Sequence, residues 1–433
     1  MSPRHADPVT KEVTMPARGG GFTWPRTFTA EGSAAVRLPG LGLALLAVLV
    51  IASEYARTLP GDWLWDFGSF IESGRAAAQG LNPFGIYPLT FHVVLPGFES
   101  WNPNLNPPVS ALLFQLFDLA EPQRMFRIWY GISVALYAAT VLILMLRYVA
   151  APRAVLLVWA FALAGFWDTL LLGQIYIPLV LAGVCAWIFL ECRQTILAGL
   201  LIGFVVAMKP NFAVWPVLLL LSGHARPALT AIAAAALISA VPAVVLGPQV
   251  YNQWIELLAS DAERAFFLTN ASLTGLLARV GAPSAGLALS GILLLASAAW
   301  AFRVRPSIAR VSAIALTVSL LASPIAWVHY TLFLLPVLLS RWNLNGMRLV
   351  ALLLIVPVPF VIAQFGRSAW TQATVGSVYN WAVILCLCVL VADEIRTMRA
   401  SASSRGRGEP GTPAPASASS AGDPVRAAAM IAG

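Results

Sequence analysis

The sequence predicts an all-α polytopic membrane protein with about twelve transmembrane helices. Three observations predict it. Of 433 residues, 59% are hydrophobic and only 11% are charged. Ordinary soluble domains carry roughly 25% charged residues, so this chain cannot cover a globular surface with charge, and lipid must be its solvent. Its apolar residues fall in long runs separated by short polar groups. Its basic residues recur at every second connection, which orients the chain across a membrane.

Residues 1–40 are rich in Pro, Gly, Thr and Arg, without periodicity, and are expected to be a disordered cytoplasmic tail. The charged region of a cleavable signal is short, so the run near 41–59 is expected to be an uncleaved first span. The spans expected are 41–59, 128–147, 154–172, 175–191, 195–209, 211–222, 228–247, 285–303, 307–322, 327–340, 347–363 and 379–396. Segment 109–120 is apolar but too short to cross, and is expected to be re-entrant or interfacial. Together 41–399 form one membrane domain, followed by a Ser/Ala/Pro/Gly tail over 400–433.

With the N-terminus placed in the cytoplasm, the inner connections hold Arg147 and Arg153, Arg193, Arg226, Arg303 and Arg305, and Arg341 and Arg348. Arg396 and Arg399 then put the C-terminus inside as well. The outer segments hold acids: Asp62, Asp66, Glu72, Glu99, Asp118, Glu121, Asp168, Glu256, Asp261 and Glu263. The net charge of +8 therefore reads as inner loops and tails. No basic cluster interleaved with aromatics points to nucleic acid.

Two outer loops are long, 60–127 and 248–284. The first carries an amphipathic helix from Asp66 to Gln79, ended by Gly80 and Pro83, with Phe67, Phe70, Ile71 and Ala77 or Ala78 on one face. It is expected to lie on the membrane surface. The second has a similar piece over 250–268.

Every polar signature falls on the outer side, as expected where many helix ends build one site. Asp66, flanked by Trp63 and Trp65, can take a proton from a sugar hydroxyl, and Trp65 offers a stacking face. Its bland reading is a cap on the first helical turn. Asp62 reads as a solvated neighbour. Lys209, before Pro210, either snorkels to the interface or meets an anionic lipid phosphate. His329 sits in a Ser-Pro break between apolar helices. An ionisable group at such a break is costly to keep without a role, and it could donate to a phosphate oxygen. Gln174, at a Gly turn, caps or binds ligand. Arg75 and Arg264 bind phosphate or face solvent. Asn104 and Asn106 bond a sugar or, the favoured reading, form Asx turns. Cys185, Cys192, Cys386 and Cys388 suggest neither disulfide nor metal clamp. The chain has no P-loop, dinucleotide fingerprint, zinc spacing or Gly-x-Ser-x-Gly elbow. No cofactor is expected. Asp66 and a donor phosphate could share a divalent ion, but no ligand set indicates a metal.

The ordered set Asp66-Phe67, Gly80-Leu81-Asn82-Pro83-Phe84, Asn106-Pro107-Pro108, Gly173-Gln174, Lys209-Pro210, Ser272-Leu273-Thr274-Gly275 and Ser323-Pro324…Trp327…His329 resembles glycosyltransferase family 87. The resemblance covers about residues 41–396. These are multi-spanning GT-C enzymes, and some depend on polyprenyl-phosphomannose. The resemblance implies a GT-C-type bundle in the cytoplasmic membrane with its active site facing outside. It implies inverting transfer of a sugar, with mannose resting on the resemblance alone, from a polyprenyl phosphate to an envelope glycan or glycolipid. Asp66 matches the family's base. Lys209, His329 and Arg264 are expected at the donor phosphate. Trp65, Asn104, Asn106, Gln174 and Trp327 are expected at the substrates. The chain departs from the family at Tyr176, where Asn is common, and at Val328 and Tyr330, where acids or His are common. The competing class is a transporter or flippase of lipid-linked sugars. It should show two related halves, and the sequence shows none.

Overall fold

A computed structural model describes residues 37–96, 98–149, 154–260 and 262–406. Of the disordered tails expected over 1–40 and 400–433, residues 1–36 and 407–433 lie outside those residues, as do Arg153 and Asp261, and residues 37–40 are already helical. The main unit ends at Val389, and from Leu390 the chain forms a second unit.

The described chain is largely helical. In order it runs α1 (Arg37–Thr58), α2 (Trp65–Ala78), strands β1 (Phe91–Leu95) and β2 (Phe98–Asn102), α3 (Val109–Phe114), α4 (Pro122–Tyr148), α5 (Ala154–Phe161), α6 (Ala164–Leu172), α7 (Tyr176–Glu191) and α8 (Thr195–Met208). It continues through α9 (Val214–Leu221), α10 (Ala225–Val245), α11 (Gln249–Ser260), α12 (Leu273–Ala278), α13 (Pro283–Val304) and α14 (Ile308–Leu321). It closes with α15 (Leu335–Ser340), α16 (Asn345–Leu353), α17 (Val358–Ile362), α18 (Ala369–Ala373) and α19 (Val378–Gly406). The last helix thus passes the tail boundary expected at 400.

Among the described residues, four stretches are long and apolar enough to cross a membrane: Pro122–Tyr148, Ala225–Val245, Pro283–Val304 and Ala369–Ala400. A fifth counts if α5 and α6, bent by 41°, form one span. The expected count of twelve is therefore not met by helix length. Breaks divide the remaining apolar runs. Lys209-Pro210 parts α8 from α9, Pro357 parts α16 from α17, and a 3-10 segment, Val328–Leu334, fills half of the expected span 327–340. Proline removes a donor and stops a helix, which hydropathy alone does not see.

Large apolar side chains stay exposed along the long helices, among them Leu142, Leu237, Val244 and Leu295. Such surfaces need lipid, not water. The tightest helix pair is α8 on α10. A Cβ at Gly203 would lie 2.5 Å from that of Ala234, and one at Gly199 would lie 2.6 Å from that of Thr230. Small residues four apart let helix backbones approach where no hydrophobic force drives association. The core lies around α6, α7, α14 and segment Val328–Leu334, with Trp159, Trp187, Trp215, Tyr137 and Tyr176 fully buried. The gap between α5 and α6 frees a backbone donor there, and Ala164 N–H bonds Leu354 O at 3.0 Å. That satisfies the break inside protein, as membrane depth demands.

In the first expected outer loop one element was not expected and one expectation needs correction. The unexpected element is an antiparallel hairpin of β1 and β2, Phe91 opposite Asn102. The run Phe-His-Val-Val-Leu-Pro-Gly-Phe carries the aromatic, β-branched and Pro-Gly signals of one. And α2 does not float on the surface. All but three of its residues are buried, Trp65, Arg75 and Ala78 being the exceptions. Gly68 packs so close to Leu89 O, and Gly74 to Phe114, that a Cβ at either would come within 2.5 Å. Its amphipathic face is absorbed by α3, the hairpin and α6. The helix ends as expected at Gly80, φ +71°. Gly80 N–H bonds Ala77 O and Leu81 N–H bonds Ala76 O, a paired closure that needs a left-handed residue.

Candidate active site

Three breaks in the helices deliver the site. The first is the entry to α2. Trp65 takes a left-handed conformation, φ +50°, which costs an L-residue roughly 1–2 kcal/mol. Its ring packs edge-on against Phe91 at 5.0 Å, tying α2 to the hairpin. Ser69 completes that tie, donating to Asn102 O at 2.7 Å and accepting from Phe91 N–H at 3.1 Å. Asp66 follows at once, only 5% exposed. It does not cap the helix. Its two carboxylate oxygens accept from the Asn102 and Gln174 side-chain amides. Burial pushes the Asp66 carboxyl up to about 7, against the two amides, which favour the charged form; Asp168 raises it further and Arg264 lowers it.

The second break is the turn after α6. Gly173, φ +67°, lies against Phe67 and Phe126, where a Cβ would meet atoms at 2.6 Å and 2.9 Å. Only glycine fits, and the turn brings Gln174 onto Asp66. Gln174 is therefore a partner of the carboxylate and not merely a cap.

The third is Lys209-Pro210. Lys209 does not snorkel. It is buried, donates to Asn106 Oδ1 at 2.5 Å, and sits 4.2 Å from the centre of the Tyr176 ring. A cation over that face is held by the ring quadrupole. The favoured turn reading of the asparagines holds in part. Asn106 N–H bonds Asn104 Oδ1 at 3.0 Å. Beyond that turn, both side chains form a buried network: Asn106 donates to Asn104 Oδ1 at 2.8 Å, and Asn104 donates to Ser73 and Ser110 at 2.9 Å and 3.0 Å.

Across Tyr176 lies His329, with ring centres 4.1 Å apart. His329 is 1% exposed. Its Nδ1 lies 3.0 Å from Asp168 Oδ2, and its buried Nε2 has no hydrogen-bond partner. Tyr330 closes the cluster at 4.6 Å from the Tyr176 ring centre.

Arg264 is buried, not solvent-facing. It donates to Asn102 Oδ1, to Ser100 Oγ at 3.2 Å and to Trp101 O at 2.7 Å. In this structure it holds the asparagine that holds Asp66. Arg75 is half-buried and pairs with Glu72 and Asp118 at 3.0 Å and 2.8 Å. Asp62 and Trp63 are exposed. Trp327 is extended, bridges Asn270 through the backbone and touches Phe267 edge-on at 5.9 Å.

Asp66, Gln174 and Arg264 thus join directly or through Asn102, and Asn104, Asn106, Lys209 and His329 join directly or through Tyr176, with Asp66 in electrostatic reach of Lys209. Trp65 and Trp327 pack beside the cluster, against Phe91 and Phe267. Sequence reasoning missed Asn102, Asp168, Tyr176 and Tyr330 as members. Asn102 stood in the Trp-Asn-Pro run, and Asp168 is an acid within an apolar run; both were visible signals. All four cysteines are free. Among the described residues no group of three or more His, Cys, Asp or Glu is placed to hold a metal ion.

The model of glycosyltransferase family 87 matches residues 104–324. A curated relative is 30% identical over 342 residues, covering 74% of this chain and 79% of its own. The chain belongs to glycosyltransferase family 87. That relative is the polyprenol-phosphate-mannose-dependent alpha-(1-2)-phosphatidylinositol pentamannoside mannosyltransferase of Mycolicibacterium smegmatis (strain ATCC 700084 / mc(2)155). No solved structure matches. This family 87 glycosyltransferase is a multi-helix membrane protein, and the matched stretch includes Asn104, Asn106, Asp168, Gln174, Lys209 and Arg264. Asp66, Trp327 and His329 lie outside it and join the site through the contacts above.

Proposed function

We propose that this glycosyltransferase moves mannose from a polyprenyl phosphate to a hydroxyl of an envelope glycolipid or glycan, with inversion, using Asp66 as general base. The observation that carries the reading is Asp66 itself. It is a buried carboxylate, held through both oxygens and poised near neutrality, within electrostatic reach of Lys209. A base poised near the working pH is what proton removal from a sugar hydroxyl needs. The named relative supports the donor class and a glycolipid acceptor.

The step is a single displacement. The acceptor oxygen attacks the anomeric carbon and passes its proton to Asp66. The bond from that carbon to the phosphate oxygen breaks, and its electrons leave with the polyprenyl phosphate. Lys209 and His329 face the charge that develops there, so a positioned cation replaces protonation of the leaving group. Arg264 contributes charge at longer reach and fixes Asn102. Asn104 and Asn106 seat Lys209. Gln174 fixes the base, and Trp65 and Trp327 flank the sugars. The domain over 41–399 crosses the cytoplasmic membrane about twelve times, counting broken and short helices. Both termini are cytoplasmic and the site opens outside, in keeping with the charge asymmetry of the loops.

Purified protein in detergent, given radiolabelled polyprenyl-phosphomannose and a mixed lipid and glycan extract, is expected to move label to an acceptor with the opposite anomeric configuration. Label that stays on the donor, while vesicles containing the protein carry that donor across the bilayer, would instead establish a flippase.

A further inference from the structure

We infer that Asp168 is a positioning residue that fixes which nitrogen of His329 faces the donor, so that His329 meets the phosphate as an imidazolium donating from Nε2. This rests on the reading of His329 as a phosphate ligand. Asp168 and His329 are 5% and 1% exposed, and their Nδ1–Oδ2 separation is 3.0 Å. A carboxylate at that distance takes the Nδ1 proton as its hydrogen-bond donor and leaves Nε2 as the outward nitrogen. Nε2 is buried and has no partner. Buried polar atoms are rarely left so, and one beside Lys209 and Tyr176 points to a ligand that completes the bond.

The backbone holds the pair in register. Gly165, one turn before Asp168 on α6, lies so close to segment Val328–Leu334 that a Cβ there would come within 2.8 Å of Val328 O and 3.1 Å of the His329 Cα. Thr169 ties back to Gly165 O at 2.6 Å. The break between α5 and α6 allows this approach, and Asp168 is the acid that acts on His329. The charged and titratable groups facing His329 are Asp168 from α6, Lys209 from the end of α8, Tyr176 from α7 and Tyr330 beside it. Segment α14 carries one charged residue, Arg310 in its first turn, and α15 carries none. Tyr379 on α19 is within electrostatic reach of Asp168. Burial opposes a second positive charge on the ring, and Lys209 adds to that, so Asp168 is the group that favours it. The second ring proton is taken up from water as the anion binds, and no bond other than N–H is made.

The test is binding of a polyprenyl phosphate methyl diester, which carries one charge throughout the range used, to purified full-length protein from pH 5 to 9. Unmutated protein is expected to lose affinity about tenfold per pH unit above its midpoint. In Asp168→Asn the midpoint is expected at least one pH unit lower, and Asp168→Glu restores it. His329→Gln, a neutral donor, is expected to bind weakly with no such pH dependence. An unchanged midpoint in Asp168→Asn, with His329→Gln behaving as expected, would overturn the role of Asp168 alone. Unmutated affinity and pH dependence in His329→Gln would overturn the phosphate reading beneath it. A merely structural Asp168 would lower the amount of competent protein and leave the midpoint in place.

Discussion

Asp66 makes two predictions at the scale of the residue. Its carboxyl, held near 7 by burial, must be ionised to accept a proton. Transfer should therefore fall about tenfold per pH unit below about 7. Removing either amide donor, in Asn102→Ala or Gln174→Ala, takes away a bond to the charged form. The acid limb should then move to higher pH, with the maximal rate down by one to two orders of magnitude. A pH-rate series on the three proteins checks this, and an unshifted limb would contradict it. Stability follows the opposite sense. The folded protein keeps a proton that the unfolded chain has lost between about pH 4 and pH 7. Stability therefore falls as pH rises through that window, by an upper bound on the order of 4 kcal/mol. Asp66→Asn removes that cost and should melt higher than the unmutated protein at pH 8, with the gap narrowing at pH 5.

At this scale the sequence made Asp66, Lys209, His329 and Gln174 legible, because isolated polar groups stand out in apolar surroundings. Their partners were not legible. Asn102 reaches Asp66 across 36 residues, and Asp168 reaches His329 across 161. No local pattern records such pairing. Lys209 could not be told from a snorkelling lysine until Asn106 and Tyr176 were seen to enclose it.

Among the elements, the site depends on short breaks clamped by polar bonds, not on long helices. Arg279, 2% exposed, is one clamp. It donates to Ser377 and Asn380 at 2.6 Å and 2.7 Å, and to Phe267 O and Asn270 O at 2.8 Å and 2.7 Å. Asn270 in turn accepts from Ala326 N–H at 2.9 Å, just before Trp327 and His329. Arg279→Ala would strand these acceptors and should cost about 2–4 kcal/mol. Thermal unfolding in detergent checks it, and a melting temperature within a degree of the unmutated protein would contradict it. Gly165→Ala would push α6 off the His329 segment, costing about 1–3 kcal/mol. Displacement of a reacting group by an ångström costs up to about 10²-fold in rate, so transfer should fall further than stability does. Helix α2 was legible to within a residue at each end, because its apolar spacing and Gly80 both mark it. Its burial was not, since an amphipathic pattern says only that one face is apolar, not whether lipid or protein covers it. The hairpin was legible in principle from Pro96-Gly97 and its flanking aromatics, yet no strand was expected there.

For the whole molecule, composition and hydropathy gave the class at once, because so apolar a chain has few other solutions. They overcounted long helices, since hydropathy averages across breaks such as Lys209-Pro210 that a membrane enzyme needs in order to bring helix ends together. Orientation is the prediction that belongs here. With the native cysteines replaced by serine, Trp63→Cys should react with a membrane-impermeant maleimide in intact spheroplasts, and Arg226→Cys only after permeabilisation. The reverse pattern would invert the topology.

The most direct test of the central claim is transfer from labelled polyprenyl-phosphomannose by purified unmutated protein and by Asp66→Asn, side by side at pH 8. Transfer is expected from the first. A loss on the order of 10²–10⁴-fold is expected in the second, with the variant folded and still binding the donor. Full transfer by Asp66→Asn would remove Asp66 as the base and with it the mechanism built around this site.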